Sequence, residues 1–300
     1  MQSDPENPGL PVVSCGWLRR HLGDSDIRVV DASWHLPATG RDALSEYNEQ
    51  HIPGAVFFDL DEHSAAVALP HMLPESKQFA AAASSLGISA ENRIVVYDSV
   101  GLFSAARIWW MFRHFGARQV YVLDGGLPVW QQTGGELASE LDKSDPCDDE
   151  SERQESAEFI VGSSVLQRQS EVVDAGQVLA AIDDKDSAIL DARAAGRFTA
   201  EVEEVRQGLR SGHIPGSICL PFTQVLNEQG LMRSVPELVA IFEKMELTRH
   251  TRIMTTCGSG VTAAVLCLAL ECAGYSNVAL YDGSWSEWGA LDDVPIATGE

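Results

Sequence analysis

Short apolar strands alternate with helical stretches along the chain, and the alternation runs through twice. In the second half, Arg252-Ile253-Met254-Thr255-Thr256 reads as a short buried strand. Ala263 to Ala273 follows, apolar almost throughout, so that helix is buried on most sides. In the first half, Arg93–Tyr97 has the character of the same buried strand and is likewise followed by a long helix. Helices are predicted over Phe79–Leu86 and Pro236–Met245, and earlier strands end at Asp31 and Asp191. Ser14 and Asp174 are candidate N-caps for the first helix of each half. A His-Ile-Pro-Gly turn, at His51 and again at His213, leads into another short strand. Proline and glycine fix such a turn, and the histidines are read as structural caps. This order predicts an α/β fold with a mostly parallel sheet and helices on both faces.

The two halves also match in sequence. Val12-Val13-Ser14 recurs as Val172-Val173-Asp174, and Val29-Val30-Asp31-Ala32 recurs as Ile189-Leu190-Asp191-Ala192. The His-Ile-Pro-Gly turn recurs, and so does Leu123-Asp124-Gly125-Gly126, as Tyr281-Asp282-Gly283-Ser284. Matches in order at one offset of roughly 160 residues define a tandem duplication. The expected domains are residues 1–138 and 163–300, joined by an acidic, exposed linker over 139–162. Cys147 lies in that linker and is expected to be solvent accessible.

Composition narrows the function. Forty-four acidic against twenty-one basic residues give a formal net charge of −23, which excludes nucleic acid as a partner and requires any anion site to be locally basic. No apolar run has the length of a membrane span, and the first residues carry neither a basic n-region nor an apolar h-region. No Cys-x-x-Cys occurs, so the six cysteines fit a reducing compartment better than a disulfide framework or a metal knuckle. A cytoplasmic protein with no membrane partner is expected.

The candidate chemistry centres on Cys257-Gly258-Ser259-Gly260-Val261-Thr262-Ala263, between the strand and the apolar helix. A cysteine in a glycine-punctuated turn at a helix start has backbone N–H groups and a helix dipole to stabilise a thiolate. Packing is the competing reading for any free cysteine. It is the reading adopted for Cys15, Cys219, Cys267 and Cys272, although a redox role for Cys147, Cys267 or Cys272 stays open. Alignment of the halves puts Asp98 where Cys257 stands, with a loop one residue longer. A carboxylate is no sulfur nucleophile, so the first domain is expected to be catalytically silent.

Other segments carry a resemblance over nearly the whole chain: Asp31-Ala32-Ser33-Trp34, His71-Met72-Leu73-Pro74, Arg107-Ile108-Trp109-Trp110-Met111-Phe112-Arg113 and Asp282-Gly283-Ser284-Trp285. With the cysteine loop and the silent first copy, they resemble the tandem rhodanese-domain sulfurtransferases that use 3-mercaptopyruvate. The resemblance implies two rhodanese-like domains, no cofactor and no metal. It implies a persulfide on Cys257, stabilised by backbone N–H groups of Gly258, Ser259, Gly260, Val261, Thr262 and Ala263. Sulfur would pass to a thiol acceptor (thioredoxin or a small thiol) or to cyanide, with release of pyruvate. Arg197 and Arg206 match the substrate-binding arginines, although Glu201-Val202-Glu203-Glu204 between them departs from the proline-rich run expected there. Ser259, His71 and Asp61 match a proton relay, with His71 and Asp61 supplied by the first domain. Thiosulfate:cyanide sulfurtransferases are similar but carry basic residues where neutral Gly258 and Ser259 stand. Rhodanese-like phosphatases need a Cys-x5-Arg cradle, and that arginine position is Ala263. A persulfide carrier that serves one partner is the reading from outside the enzymes.

Overall fold

The β-branched run Arg93-Ile94-Val95-Val96-Tyr97 forms β4 (Arg93–Tyr97) at the centre of a parallel sheet. The computed structural model describes residues 9–140, 158–161 and 171–299. Around β4 stand β1 (Val12–Val13), β2 (Ile27–Asp31), β3 (Val56–Phe57) and β5 (Gln119–Leu123), in the order β1-β5-β4-β2-β3 and parallel throughout. Side chains alternate along a strand. Val95 and Tyr97 therefore join one core with Trp17 and Leu18 of α1 (Cys15–His21), Tyr47 of α2 (Ala43–Glu49), and Leu127 and Trp130 of α5 (Gly126–Gln132). Ile94 and Val96, fully buried as well, face the other way. Phe79 of α3 (Ser76–Ser85) packs edge-on against Phe112 of α4 (Ala105–His114), and α4 lies on β4 and β5.

The second sheet repeats this plan. Its strands are β6 (Glu171–Val173), β7 (Ser187–Asp191), β8 (Ile218–Cys219), β9 (Arg252–Thr256) and β10 (Val278–Tyr281), in the parallel order β6-β10-β9-β7-β8. Its helices are α6 (Ala175–Ala181), the single turn α7 (Ala195–Phe198), α8 (Val235–Lys244), α9 (Ala263–Cys272) and α10 (Ser284–Trp288). Every residue of α9 except Glu271 is buried, as its uniformly apolar sequence requires. Ser14 caps α1 through the N–H of Trp17 at 3.1 Å, and Asp174 forms a capping box with Gln177 on α6. His51 Nδ1 lies 2.8 Å from the Tyr47 carbonyl and His213 Nδ1 2.8 Å from that of Phe198. Both rings are buried and hold turns.

The chain divides into two units, one of residues 1–63 and 74–167, the other of residues 64–73 and 168–300. Residues 64–73 thus group with the second unit, whereas the repeat boundaries put them in the first domain. Most of the acidic segment 139–162, with Cys147, lies outside the described residues. Within it Phe159 is buried, stacks edge-on against Phe79 of the first unit and donates its N–H to Ser84 Oγ at 2.9 Å. At that point the segment is anchored rather than exposed.

Candidate active site

Thr256 ends β9 in register with Asp191, the last residue of β7, so Cys257 is the first residue past the C-terminal edge of the sheet. Parallel α/β sheets place ligands there, because loops leave the strand ends and helix N-termini point back at them. Gly260 turns the loop with a φ of +78°, a region that glycine enters without steric cost. Helix α9 then begins at Ala263, and Cys257 is only 2% exposed.

The loop is pinned by the start of α10. Ser284 Oγ accepts hydrogen bonds from the N–H groups of Cys257 at 3.2 Å and Gly260 at 3.1 Å, and donates to the Tyr281 carbonyl at 2.8 Å. Trp285 donates its N–H to the Cys257 carbonyl at 2.9 Å. Ser286 gives the Gly258 carbonyl both its N–H, at 2.9 Å, and its hydroxyl, at 2.6 Å. Ser284 adopts φ of +48°, a conformation costly for a residue with a Cβ, whereas the matching residue of the first domain is Gly126 at +54°. A strained serine in a glycine position marks the hydroxyl as the reason for the strain. Ser284→Gly is expected to cost only about 1 kcal/mol, because relief of about 1 kcal/mol of strain offsets part of the lost hydrogen bonding. Ser284→Ala keeps the strain and should cost about 2 kcal/mol. Both should slow alkylation of Cys257. Equal melting points for the two variants would count against this reading.

The first domain shows what such a loop holds. Asp98 leaves β4 as Cys257 leaves β9, since Tyr97 pairs with Asp31 as Thr256 pairs with Asp191. Leu127 donates its N–H to the Asp98 carbonyl at 3.0 Å, as Trp285 does to that of Cys257. The fully buried Asp98 carboxylate accepts four backbone N–H groups, from Val100 at 3.0 Å, Gly101 at 2.8 Å, Phe103 at 2.7 Å and Ala105 at 2.9 Å. The loop is an anion cradle filled by its own side chain. In the second domain, the N–H groups of Gly258, Ser259, Val261, Thr262 and Ala263 donate to no protein acceptor among the described residues. Gly260, expected in the same cradle, gives its N–H to Ser284 instead.

His71 Nδ1 and Ser259 Oγ lie 2.9 Å apart, and both residues are buried. His71 has a φ of +59°, and the Leu73 N–H donates to Asp282 Oδ2 at 2.8 Å, tying this segment to the end of β10. His71 therefore belongs to the second unit. Asp61 belongs to the first, where its carboxylate accepts the Trp34 indole N–H at 2.9 Å.

Both expected arginines lie against the loop. A Cβ built on Gly258 would stand 3.3 Å from Arg197 Nη2 and 3.7 Å from Arg206 Nη1. Glycine at 258 keeps that space beside the thiol open. The other described cysteines are packed or partly packed. Cys267 and Cys272 are buried in α9, with Cys267 Sγ 3.1 Å from Thr255 Oγ1, and burial pushes the Cys15 and Cys219 thiols up.

Sequence reasoning assigned no role to Ser284, Ser286 or Asp282. The glycine-to-serine change between the copies, Gly126 against Ser284, was the available signal for the first of these.

A cysteine loop and an aspartate loop at the same strand end of two like parallel sheets define a duplicated rhodanese-type protein. The sequence matches the rhodanese-like domain over residues 14–133 and 174–291. The chain belongs to this family, and within it to the sulfurtransferases. It is 42% identical to thiosulfate/3-mercaptopyruvate sulfurtransferase 2 of Arabidopsis thaliana, over 97% of this chain and 88% of that one. It is also 42% identical to 3-mercaptopyruvate sulfurtransferase of Escherichia coli K12, over 95% and 96% of the two chains. The crystal structure of SseA from Escherichia coli is similar with a TM-score of 0.78 at 39% identity, covering 92% of this chain and 99% of SseA. Among the described residues, no helix is long and apolar enough to cross a membrane.

Proposed function

We propose that the protein moves sulfur from 3-mercaptopyruvate to a thiol acceptor through a persulfide on Cys257, and releases pyruvate. The observation that carries this reading is the pair of guanidinium groups, Arg197 and Arg206, set against Gly258 beside the thiol. A donor with a carboxylate and an adjacent carbonyl suits two planar forks of N–H donors.

In the first half-reaction the Cys257 thiolate attacks the donor sulfur. The S–S bond forms as the donor C–S bond breaks, and the bonding pair leaves on carbon as the pyruvate enolate, which takes up a proton. Ser259, hydrogen-bonded to His71, moves that proton. Backbone N–H groups of Gly258, Ser259, Val261, Thr262 and Ala263 stabilise the persulfide anion. In the second half-reaction a thiolate of reduced thioredoxin or of a small thiol, or else cyanide, takes the outer sulfur and regenerates the Cys257 thiolate. The first domain, with Asp98, takes no covalent part. A reducing compartment such as the cytoplasm suits chemistry that runs on a free thiol.

Side-by-side donor kinetics test the reading. Pyruvate release from 3-mercaptopyruvate should exceed sulfite release from thiosulfate by at least about tenfold in kcat/KM. Thiosulfate is the second reading because the Arabidopsis relative is named for both donors. Faster sulfite release would establish it and overturn the first. Arg206→Ala is expected to raise KM for 3-mercaptopyruvate about tenfold, the worth of one charge-assisted hydrogen bond, with a smaller change in kcat. An unchanged KM would remove Arg206 from donor binding.

A further inference from the structure

Arg197 alone is a poor recognition element. It sits on the four-residue turn α7, its side chain is 21% exposed, and a free arginine loses rotamer entropy when it is fixed. The structure fixes it with the acidic run that replaces the proline-rich sequence. Val202 N–H donates to the Gly196 carbonyl at 2.9 Å and folds the chain back, so that the Glu204 carboxylate, 2% exposed, meets Arg197. Arg197 Nη2 donates to Glu204 Oε2 at 2.5 Å and Nε to Oε1 at 3.4 Å. This side-on grip occupies one edge of the guanidinium, and among the described residues Nη1 makes no hydrogen bond.

Glu204 is itself held from behind. Arg193 Nη1 donates to Glu204 Oε1 at 2.8 Å, Arg193 Nη2 donates to Asp191 at 2.6 Å and to the Gly212 carbonyl at 2.8 Å, and the guanidinium lies 4.2 Å from the Trp285 ring. Burial opposes the charge on Arg193, but Asp191 and Glu204 outweigh it and hold its pKa above the usual arginine value. Asp191–Arg193–Glu204–Arg197 is thus a chain of alternating charges, its first three members almost wholly buried, that runs from the end of β7 to the thiol loop. Among the described residues, the first domain has no such chain. Ser33 stands where Arg193 stands, two residues past the strand-ending aspartate, and accepts the Ser99 N–H at 2.9 Å.

We propose that Glu204 is a positioning residue for donor selection. Resting on the donor assignment above, it turns Arg197 from a mobile surface charge into a fixed fork aimed at the planar carboxylate–carbonyl end of an α-keto thiol. A donor whose anionic end is tetrahedral, such as thiosulfate, accepts charge from many directions and gains little from that orientation.

The test is a double-mutant cycle of Glu204→Gln and Arg197→Lys, each variant assayed with 3-mercaptopyruvate and with thiosulfate. Glu204→Gln should raise KM for 3-mercaptopyruvate about tenfold with kcat within about twofold, and move KM for thiosulfate by no more than about twofold. On the Arg197→Lys background it should add nothing beyond about twofold. Glu204→Asp, which keeps the charge but shortens the reach, should fall between wild type and Glu204→Gln. Equal losses on both donors, or effects that multiply in the double variant, would show a merely structural role and overturn the proposal. A wild-type protein that releases no pyruvate would instead overturn the donor assignment, and this inference with it.

Discussion

Cys257→Ser is expected to abolish pyruvate release from 3-mercaptopyruvate, with a loss on the order of 10⁴-fold or more. Sulfur supplies a polarizable thiolate, a weak S–S bond to form and break, and a leaving group matched to the acceptor thiol. A serine hydroxyl remains protonated at neutral pH and makes no persulfide. The change should leave the fold intact, because the loop is pinned through its backbone by Ser284, Trp285 and Ser286 and not through the sulfur. Intact-mass spectrometry after donor treatment should show one added sulfur on wild type and none on the variant, with both melting at similar temperature. Pyruvate release retained by the variant would remove Cys257 from the mechanism.

Asp98→Ala should have the largest effect on stability and destabilise the first domain by about 4 kcal/mol. Four backbone N–H groups lose their acceptor at a fully buried site, and each unsatisfied buried group costs about 1–3 kcal/mol before water or local rearrangement recovers part of it. Asp98→Asn keeps one acceptor oxygen and turns a donor towards the remaining N–H groups, so an intermediate loss is expected. Urea unfolding followed by tryptophan fluorescence reads this directly, since Trp17, Trp34, Trp109, Trp110 and Trp130 all lie in the first unit. Sulfate should restore part of the stability of Asp98→Ala by entering the emptied cradle. A loss under about 1 kcal/mol with no response to sulfate would refute the cradle reading.

Much of this architecture is legible in the sequence because local signals agree with the fold. The central strands Arg93–Tyr97 and Arg252–Thr256 stand where their apolar runs put them, and Ser14 and Asp174 cap the first helices. Helix α3 begins at Ser76, not Phe79, because its first turn, Ser76-Lys77-Gln78, is polar and carries no periodic signal. The duplication exposed the thiol loop by contrast with Asp98. Long-range pairing was legible only through the resemblance, which set His71 with Ser259. Nothing local to residues 64–73 shows that Leu73 seeks Asp282, because that bond joins segments far apart in the chain. Glu204 stood out only as a departure from an expected proline-rich run. Its meaning depends on Arg193, whose buried guanidinium resembles in sequence any arginine after a strand. Phe159 was hidden in the same way by the acidic residues around it.

The two loops differ in whose atoms complete them. Asp98 fills its cradle with the chain's own side chain, so the first loop is finished by folding alone. Around Cys257, five backbone N–H groups have no protein acceptor among the described residues, so that loop is left for something from outside the fold to complete. Small anions should therefore stabilise the second domain and leave the first unchanged.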